Sequence, residues 1–368
     1  MIYLSVVPAL LISALCYEKS RARYHNTTLL LYLLSAFVFL PLLLISGLRG
    51  AEVGLDTQSY LELFQHIREQ SFSELLVLNS HGTARKEIGY EFFCKFLSLL
   101  NKSGQISLFA MALLFLLCFW HMINSLSESP FLSIAVFYGS GLYISSLNIA
   151  RQMVAVAFIA YMYFMLLKKK HLAAILCCLS AFLFHRSSMI AAAIILLFFF
   201  LPVRRWIFGL VSAMALSFPF AFLILQKFYS IIPKRYARYL LYTEGLHFGL
   251  VTVLWGLEFL LVLYLLSFIP DKQDSLTRYD RHIFCCAVFT VLYISATFSG
   301  GIVRYADRMG FYFQFGTMFI FSAAAERLRR TQPRFIYFLY ACIVYALFIF
   351  WIYRHVSQDI SYHYQFFF

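Results

Sequence analysis

Five arginines sit in short turns beside apolar runs, where packing gives no reason for a positive charge: Arg49, Arg151, Arg186, Arg304 and Arg308. Each of these turns uses arginine and none uses lysine. A guanidinium is a fixed planar fork that grips phosphate oxygens two at a time, whereas a lysine ammonium is a point charge. Three groups able to hold or move a proton lie nearby in sequence. His185 sits in Phe184-His185-Arg186-Ser187-Ser188, Asp56 in Gly54-Leu55-Asp56-Thr57, and Glu87 in Lys86-Glu87-Ile88-Gly89-Tyr90. Histidine titrates nearest physiological pH and serves as a base. The carboxylates Asp56 and Glu87, with Glu52 beside the first, suit binding or deprotonating a sugar hydroxyl. Each residue also has a plainer reading. An arginine snorkels to a lipid headgroup, Asp56 or Thr57 caps the helix that begins near Tyr60, and His185 finishes a helix whose dipole favours a cation there. Taken together, the five arginines form a cationic rim suited to a phosphate-bearing lipid headgroup, with acid–base groups beside it.

The elements that position these groups follow from composition. Of 368 residues, 62% are apolar and 13% charged, against about 45–50% and roughly 25% in soluble domains. Such a chain cannot cover its own core with polar surface, which excludes a soluble domain and a disordered one. At about 20 residues per crossing, the pattern predicts an all-α, polytopic integral membrane protein with about twelve transmembrane helices. The apolar stretches run over 2–17, 27–47, 105–122, 130–147, 152–167, 171–184, 188–203, 206–226, 248–269, 283–299, 309–325 and 335–353. They read as a single membrane domain over 1–368, without repeats or low-complexity tracts. The first stretch has no basic residue ahead of it and reads as a retained helix rather than a cleaved signal.

Lysine and arginine set the orientation. With the first residue outside, the inner loops hold Lys19, Arg21, Arg23, Lys168, Lys169, Lys170, Arg204, Arg205, Lys272, Arg278, Arg281, Arg327, Arg329, Arg330 and Arg334. That is half of the 30 basic residues, in roughly 46 loop residues against roughly 110 outside, so density favours this orientation about two to one. The other half of the basic residues, behind a net charge of +13, has no topological reason and includes the five arginines. Two larger extracytoplasmic loops result, 48–104 and 227–247.

In the first loop, Gly89, Phe92, Phe93, Phe96, Leu97 and Leu100 share one helical face, and Glu87, Glu91 and Lys95 share the other. This predicts a short interfacial helix with Glu91 and Lys95 paired at i,i+4. Gly50 and Gly54 allow unusual backbone angles around the Arg49 turn. Tyr60 and Tyr90 are placed to stack on sugar rings, and Phe366, Phe367 and Phe368 suit an interfacial anchor. Glu258, far from any helix end, is expected to pair within the bundle. Seven cysteines lie in apolar runs and only Cys94 in a polar loop; no CxxC or Cys/His spacing suggests a disulfide framework or a zinc site. There is no DxD, GxxxxGK[ST] or HExxH motif. The reading therefore includes no metal, no cofactor, no cytosolic nucleotide substrate and no nucleic acid.

Arg49-Gly50…Gly54-Leu55-Asp56-Thr57…Tyr60, Glu87-Ile88-Gly89-Tyr90, Arg151-Gln152, Phe184-His185-Arg186-Ser187-Ser188 and Arg304…Arg308…Tyr312-Phe313 follow one another along the chain. This succession resembles the EpsG-like branch of the Wzy-type oligosaccharide repeat-unit polymerases. Each match is short; their order over 49–313 carries the specificity. The resemblance implies a C-type glycosyltransferase-like fold in the bacterial inner membrane, with the active site facing the periplasm or cell exterior. The implied enzyme transfers a growing glycan from polyprenyl pyrophosphate to the terminal sugar of a new lipid-linked unit, as in O-antigen and lipopolysaccharide synthesis. Its implied partners are the polyprenyl-pyrophosphate-linked oligosaccharide, membrane lipid, a chain-length regulator and a flippase. No metal or cofactor is implied.

On this reading Arg49, Arg151, Arg304 and Arg308 hold the donor pyrophosphate, and Asp56, Glu87 or His185 orients or deprotonates the acceptor. The tail Ile360-Ser361-Tyr362-His363-Tyr364 resembles a family ending that usually reads Pro-Tyr; histidine replaces the proline here, and the tail receives no role. Two other classes share features. An O-antigen ligase or other outward-facing transferase would share the histidine and arginines. A lipid-linked oligosaccharide flippase needs charge deep in a central cavity, for which Glu258 is the clearest candidate.

Overall fold

The computed structural model describes residues 2–23, 28–80, 87–227, 250–270, 275–300, 303, 306–358 and 364–367. Among them the chain forms helices α1 (Ile2–Arg23), α2 (Thr28–Gly47), α3 (Thr57–Glu69), α4 (Phe72–Ser80), α5 (Ile88–Leu100) and α6 (Gln105–Leu126). Then come α7 (Pro130–Gly139), α8 (Leu142–Asn148), α9 (Ala150–Leu167), α10 (His171–Phe184), α11 (Ser188–Phe200) and α12 (Arg205–Lys227). The last are α13 (Leu250–Leu266), α14 (Arg278–Gly300), α15 (Asp307–Gly310), α16 (Phe315–Thr331) and α17 (Arg334–Gln358). The described residues contain no strand, only an isolated antiparallel bridge between Arg49 and Phe366.

Among the described residues every apolar stretch read from the sequence falls on a helix, with two changes. The stretch 130–147 is broken into α7 and α8, which meet at a 42° bend. The stretch 309–325 opens with the short α15 and a turn, so the long helix begins at Phe315 and ends in Arg329, Arg330 and Thr331. Among the described residues, α6, α9, α14 and the Arg334–Tyr353 part of α17 are long and apolar enough to cross a membrane, and the bent pair makes a fifth. Helices α10 and α11 have 14 and 13 residues. At 1.5 Å per residue they reach about 20 Å, against a hydrocarbon core of about 30 Å. Helix length thus accounts for four or five of the expected twelve crossings, within an all-helical membrane protein.

The chain divides into two compact units, Met1–Met189 with Ala341–Phe368, and Ile190–Tyr340. In the first, α9 is the axis. Fifteen of its 18 residues are buried, as expected of a helix apolar on all sides, and it packs on α6 and α10. The loop helices α3 and α4 each pack on α5, which packs on α10. A reciprocal cap starts α4: the Ser71 amide donates to Glu74 Oε2 at 2.6 Å, and the Glu74 amide to Ser71 Oγ at 3.2 Å. The two donors from Ser71 hold the Glu74 carboxyl below its ordinary range.

Helix α5 has the predicted length but a different inner face. Tyr90, Glu91, Cys94 and Leu97 are buried, while Phe96, Leu99 and Leu100 are exposed. Lys95 reaches across to the Arg68 carbonyl at 2.9 Å, near the end of α3, where orphan carbonyls and the helix dipole favour a cation.

In the second unit α14 packs against α12, α13 and α16. Arg281 donates to the carbonyls of Phe199 at 2.7 Å and Leu201 at 3.3 Å. Arg205 donates to those of Ile269 at 2.8 Å and Ser267 at 3.2 Å. Both arginines, counted from sequence as orienting charges, also satisfy the orphan carbonyls at the ends of α11 and α13. Glu258 is buried on α13, and its Oε2 has no hydrogen-bond partner among the described residues, so the expected pairing is not seen there. Of the second predicted outer loop, 227–247, residues 228–247 lie outside the described residues.

Candidate active site

Three polar segments of the first unit converge on the first turn of α9: the 48–56 turn after α2, the start of α5, and the turn after α10. Two close backbone approaches bring them there. Gly54 has φ +84°, a conformation that suits glycine, and a Cβ on it would lie 3.0 Å from Asn148 Cα and collide with the Leu147 carbonyl. The 48–56 turn is thereby pressed onto the end of α8, one residue before α9. The Asp56 amide donates to Asn148 Oδ1 at 3.2 Å, and the Thr57 hydroxyl lies 3.3 Å from the Leu147 carbonyl. Gly89 plays the same part for α5. A Cβ there would collide with the Leu183 side chain and stand 2.7 Å from its carbonyl, so only glycine lets α5 start against the end of α10.

Glu87, at the N-cap position of α5, makes no side-chain cap bond. Its carboxylate instead joins the three segments. Oε2 pairs with Arg151 Nη1, and Oε1 faces His185 Nδ1 at 3.4 Å and the Arg186 amide at 3.4 Å. The Arg151 and Glu87 side chains are 13% and 14% exposed and that of His185 is 25% exposed. The pair is therefore mostly withdrawn from water while the imidazole stays reachable. Arg151 stands in the first turn of α9, where a cation opposes the helix dipole. The Glu87 carboxylate offsets this, and an added anion would be favoured by the same helix end. Beneath the guanidinium lies the Tyr90 ring, 5.8 Å from Arg151 Cζ to its centroid, within cation–π range.

Tyr60 and Tyr90 meet edge-on at 6.0 Å and are both buried. They form the floor of the site and are not available to stack on a sugar, as sequence had suggested. Burial, then the Asp56 carboxylate, pushes the Tyr60 hydroxyl above its ordinary value, and Arg151 and Arg49 pull it back.

Arg49 is the second feature. It is 1% exposed. Its Nη1 donates to the Ser46 carbonyl and its Nε to Thr57 Oγ1 at 3.3 Å, while Nη2 has no hydrogen-bond partner among the described residues. Burial draws the guanidinium down to about 10, and Tyr60, Tyr143, Tyr3 and Tyr364 act the other way. It therefore stays charged at neutral pH. A buried charge normally has a counter-charge, and the groups acting on Arg49 are phenols.

The cap and Gly50 expectations are corrected, and the two remaining arginines lie elsewhere in the chain. Asp56 occupies the N-cap position of α3 without a side-chain cap bond, and the Thr57 hydroxyl donates back to the Val53 carbonyl, so neither side chain caps the helix. Gly50 does not adopt a positive φ. Arg308 lies on α15 in the second unit, and Arg304 lies outside the described residues. Sequence reasoning missed Gln105, whose Nε2 donates to the carbonyls of Gly47 at 2.6 Å and Arg49 at 3.0 Å. It also missed Tyr364 and Phe366 beside Arg49, since nothing local marks residues so far along the chain.

The arrangement can hold an anion on Arg49 and Arg151 and place a carboxylate-oriented histidine beside it. The model of the EpsG family matches residues 3–366. Comparisons with the curated proteins and with the solved structures each returned no match.

Proposed function

The chain belongs to the EpsG family, a Wzy-like, polymerase-type family of glycosyltransferase-like membrane proteins, and on that premise we propose that it joins lipid-linked oligosaccharide repeat units at the outer face of the bacterial inner membrane. The donor is a growing glycan on polyprenyl pyrophosphate and the acceptor is the terminal sugar of a fresh lipid-linked unit. The observation that carries this reading is the single carboxylate of Glu87 shared by Arg151 and His185.

The chemistry follows from that sharing. With Glu87 ionised beside Arg151, its Oε1, 3.4 Å from His185 Nδ1, is set to accept a hydrogen bond from the imidazole. That fixes the tautomer in which Nε2 carries the lone pair. An acceptor hydroxyl donates its proton to Nε2 as its oxygen attacks the anomeric carbon of the donor sugar. The bond from that carbon to the pyrophosphate breaks, and the pyrophosphate leaves with the electron pair. Arg49 receives part of its charge through Nη2, and Arg151 through its guanidinium. Preorganised donors aimed at developing charge supply the largest share of catalysis in such transfers. Holding two bulky substrates in line supplies much of the rest. Asp56, partly exposed beside Tyr60, serves to bind an acceptor hydroxyl.

Deleting the gene and resolving the surface glycan by gel tests the proposal. Loss of a polymerase leaves carriers capped with one repeat unit. Loss of a flippase or a ligase leaves none capped, and that outcome would overturn the reading.

A further inference from the structure

Arg49 is bracketed by a segment more than three hundred positions away. The Gly50 amide donates to the Gln365 carbonyl at 2.6 Å, and the Phe367 amide donates to the Leu48 carbonyl at 3.1 Å. These two bonds place Arg49 and Phe366 opposite one another as the non-hydrogen-bonded pair of an antiparallel bridge. The peptide units on both sides of Arg49 are thus fixed by the same short segment. Arg49's own carbonyl points elsewhere and accepts from Gln105 at 3.0 Å. Tyr364 adds a side-chain anchor: its hydroxyl donates to the Ile45 carbonyl at 3.0 Å, and its ring meets Tyr3 edge-on at 5.8 Å. Tyr364 is also one of the four phenols acting on the Arg49 charge. Gly50 permits the approach, since a Cβ there would stand 3.1 Å from both the Gln365 and Phe366 carbonyl oxygens.

We propose that Tyr364–Phe367 is a positioning strap for the anion site, holding Arg49 so that its Nη2 edge is preset toward the donor pyrophosphate; this rests on the reading of Arg49 given above. Ordinary packing of a chain end would need only side-chain contacts. Here the backbone bonds fall on the two residues flanking the arginine, and the guanidinium is held on two of its three edges, with no hydrogen-bond partner for the third among the described residues. A preset donor needs no reorganisation as charge develops on the leaving group. The strap has no contact with the reacting atoms and acts through Arg49.

Two measurements on the full chain in nanodiscs test this, comparing wild type with a variant ending at His363, with Tyr364→Phe, and with Arg49→Gln. The first is amide hydrogen exchange over residues 45–57. In the variant ending at His363 exchange should rise about tenfold or more, as expected for a turn released from its pairing, while α12 is unchanged. Unchanged exchange at 45–57 overturns the strap. The second is inhibition of glycan extension by inorganic pyrophosphate. The inhibition constant should weaken about tenfold in Arg49→Gln and in the shortened variant, a loss of one charge-assisted contact. It should weaken a few-fold in Tyr364→Phe, which keeps the ring and the fold. The shortened Arg49→Gln double variant should be no weaker than Arg49→Gln alone, the non-additivity of residues acting through one contact. Additive losses overturn the strap while leaving Arg49 as an anion ligand. A wild-type constant in Arg49→Gln overturns the anion reading itself and this role with it. A purely structural tail would lower yield and turnover without moving the pyrophosphate constant.

Discussion

His185 Nδ1 stands 3.4 Å from Glu87 Oε1 while the other oxygen of the same carboxylate pairs with Arg151. One side chain therefore holds both an imidazole and a guanidinium, and it can do so because it starts a helix without capping it.

Replacing Glu87 by glutamine keeps the shape and removes the charge. Arg151 loses its counter-ion and His185 the acceptor that sets its tautomer. Extension should fall about 100-fold, the scale of removing one electrostatic element from such a site, with the protein still reaching the membrane. Wild-type glycan length in this variant would sink the shared-carboxylate mechanism.

Arg151→Lys retains a point charge beside Glu87 and loses the planar fork. About a tenfold drop in rate and visibly shorter chains are expected. Normal chain length would show that no phosphate is gripped there.

Gly89→Ala drives a methyl group into Leu183. Overpacking of this kind costs about 1–3 kcal/mol, read as a lower thermal midpoint together with lost extension. Gly209 and Gly256, which lie in helices with nothing within 4 Å of an added Cβ, serve as controls. Alanine at either should raise stability by up to about 1 kcal/mol. Equal effects at all three would mean that α5 and α10 do not touch.

A pH profile distinguishes arginine from lysine at position 49. Burial draws the native guanidinium to about 10, so wild type keeps its cation across pH 6–9 and should show no loss from this group. A lysine starts from about 10.4 and, with a similar displacement, titrates near about 8. A cation with a depressed pKa loses its charge as pH rises through that value. Arg49→Lys should therefore extend glycan at pH 6.5 and fail by pH 9, and a flat profile would contradict burial of the site.

Cys94 lies in a loop that reads as polar, yet burial pushes its thiol up to about 12. The thiolate reacts, so a raised pKa leaves the group protonated and inert until the pH approaches that value. In a variant whose only cysteine is Cys94, maleimide labelling at pH 8 should be negligible before detergent unfolding. Prompt labelling would show that the inner face of α5 is not packed.

The sequence by itself determined the helices and the chemistry-bearing residue types, because both are written locally. Apolar runs must satisfy their own backbone in a membrane, and among the described residues every run is carried by helix. The inner face of α5 was not legible. In a lipid-facing helix both sides carry apolar groups, and periodicity cannot tell Phe96 and Leu100, which are exposed, from Tyr90 and Cys94, which are buried. Nor was the pairing within the site. His185, Asp56 and Glu87 were equal candidates for the proton acceptor, and only tertiary structure sets Glu87 between Arg151 and His185 while Asp56 stands apart beside Tyr60. It also placed Tyr364 and Phe366 against Arg49. These contacts join residues far apart in sequence through close backbone approaches at Gly50, Gly54 and Gly89. Such an approach is a property of two surfaces meeting, and a glycine read alone does not say what it meets.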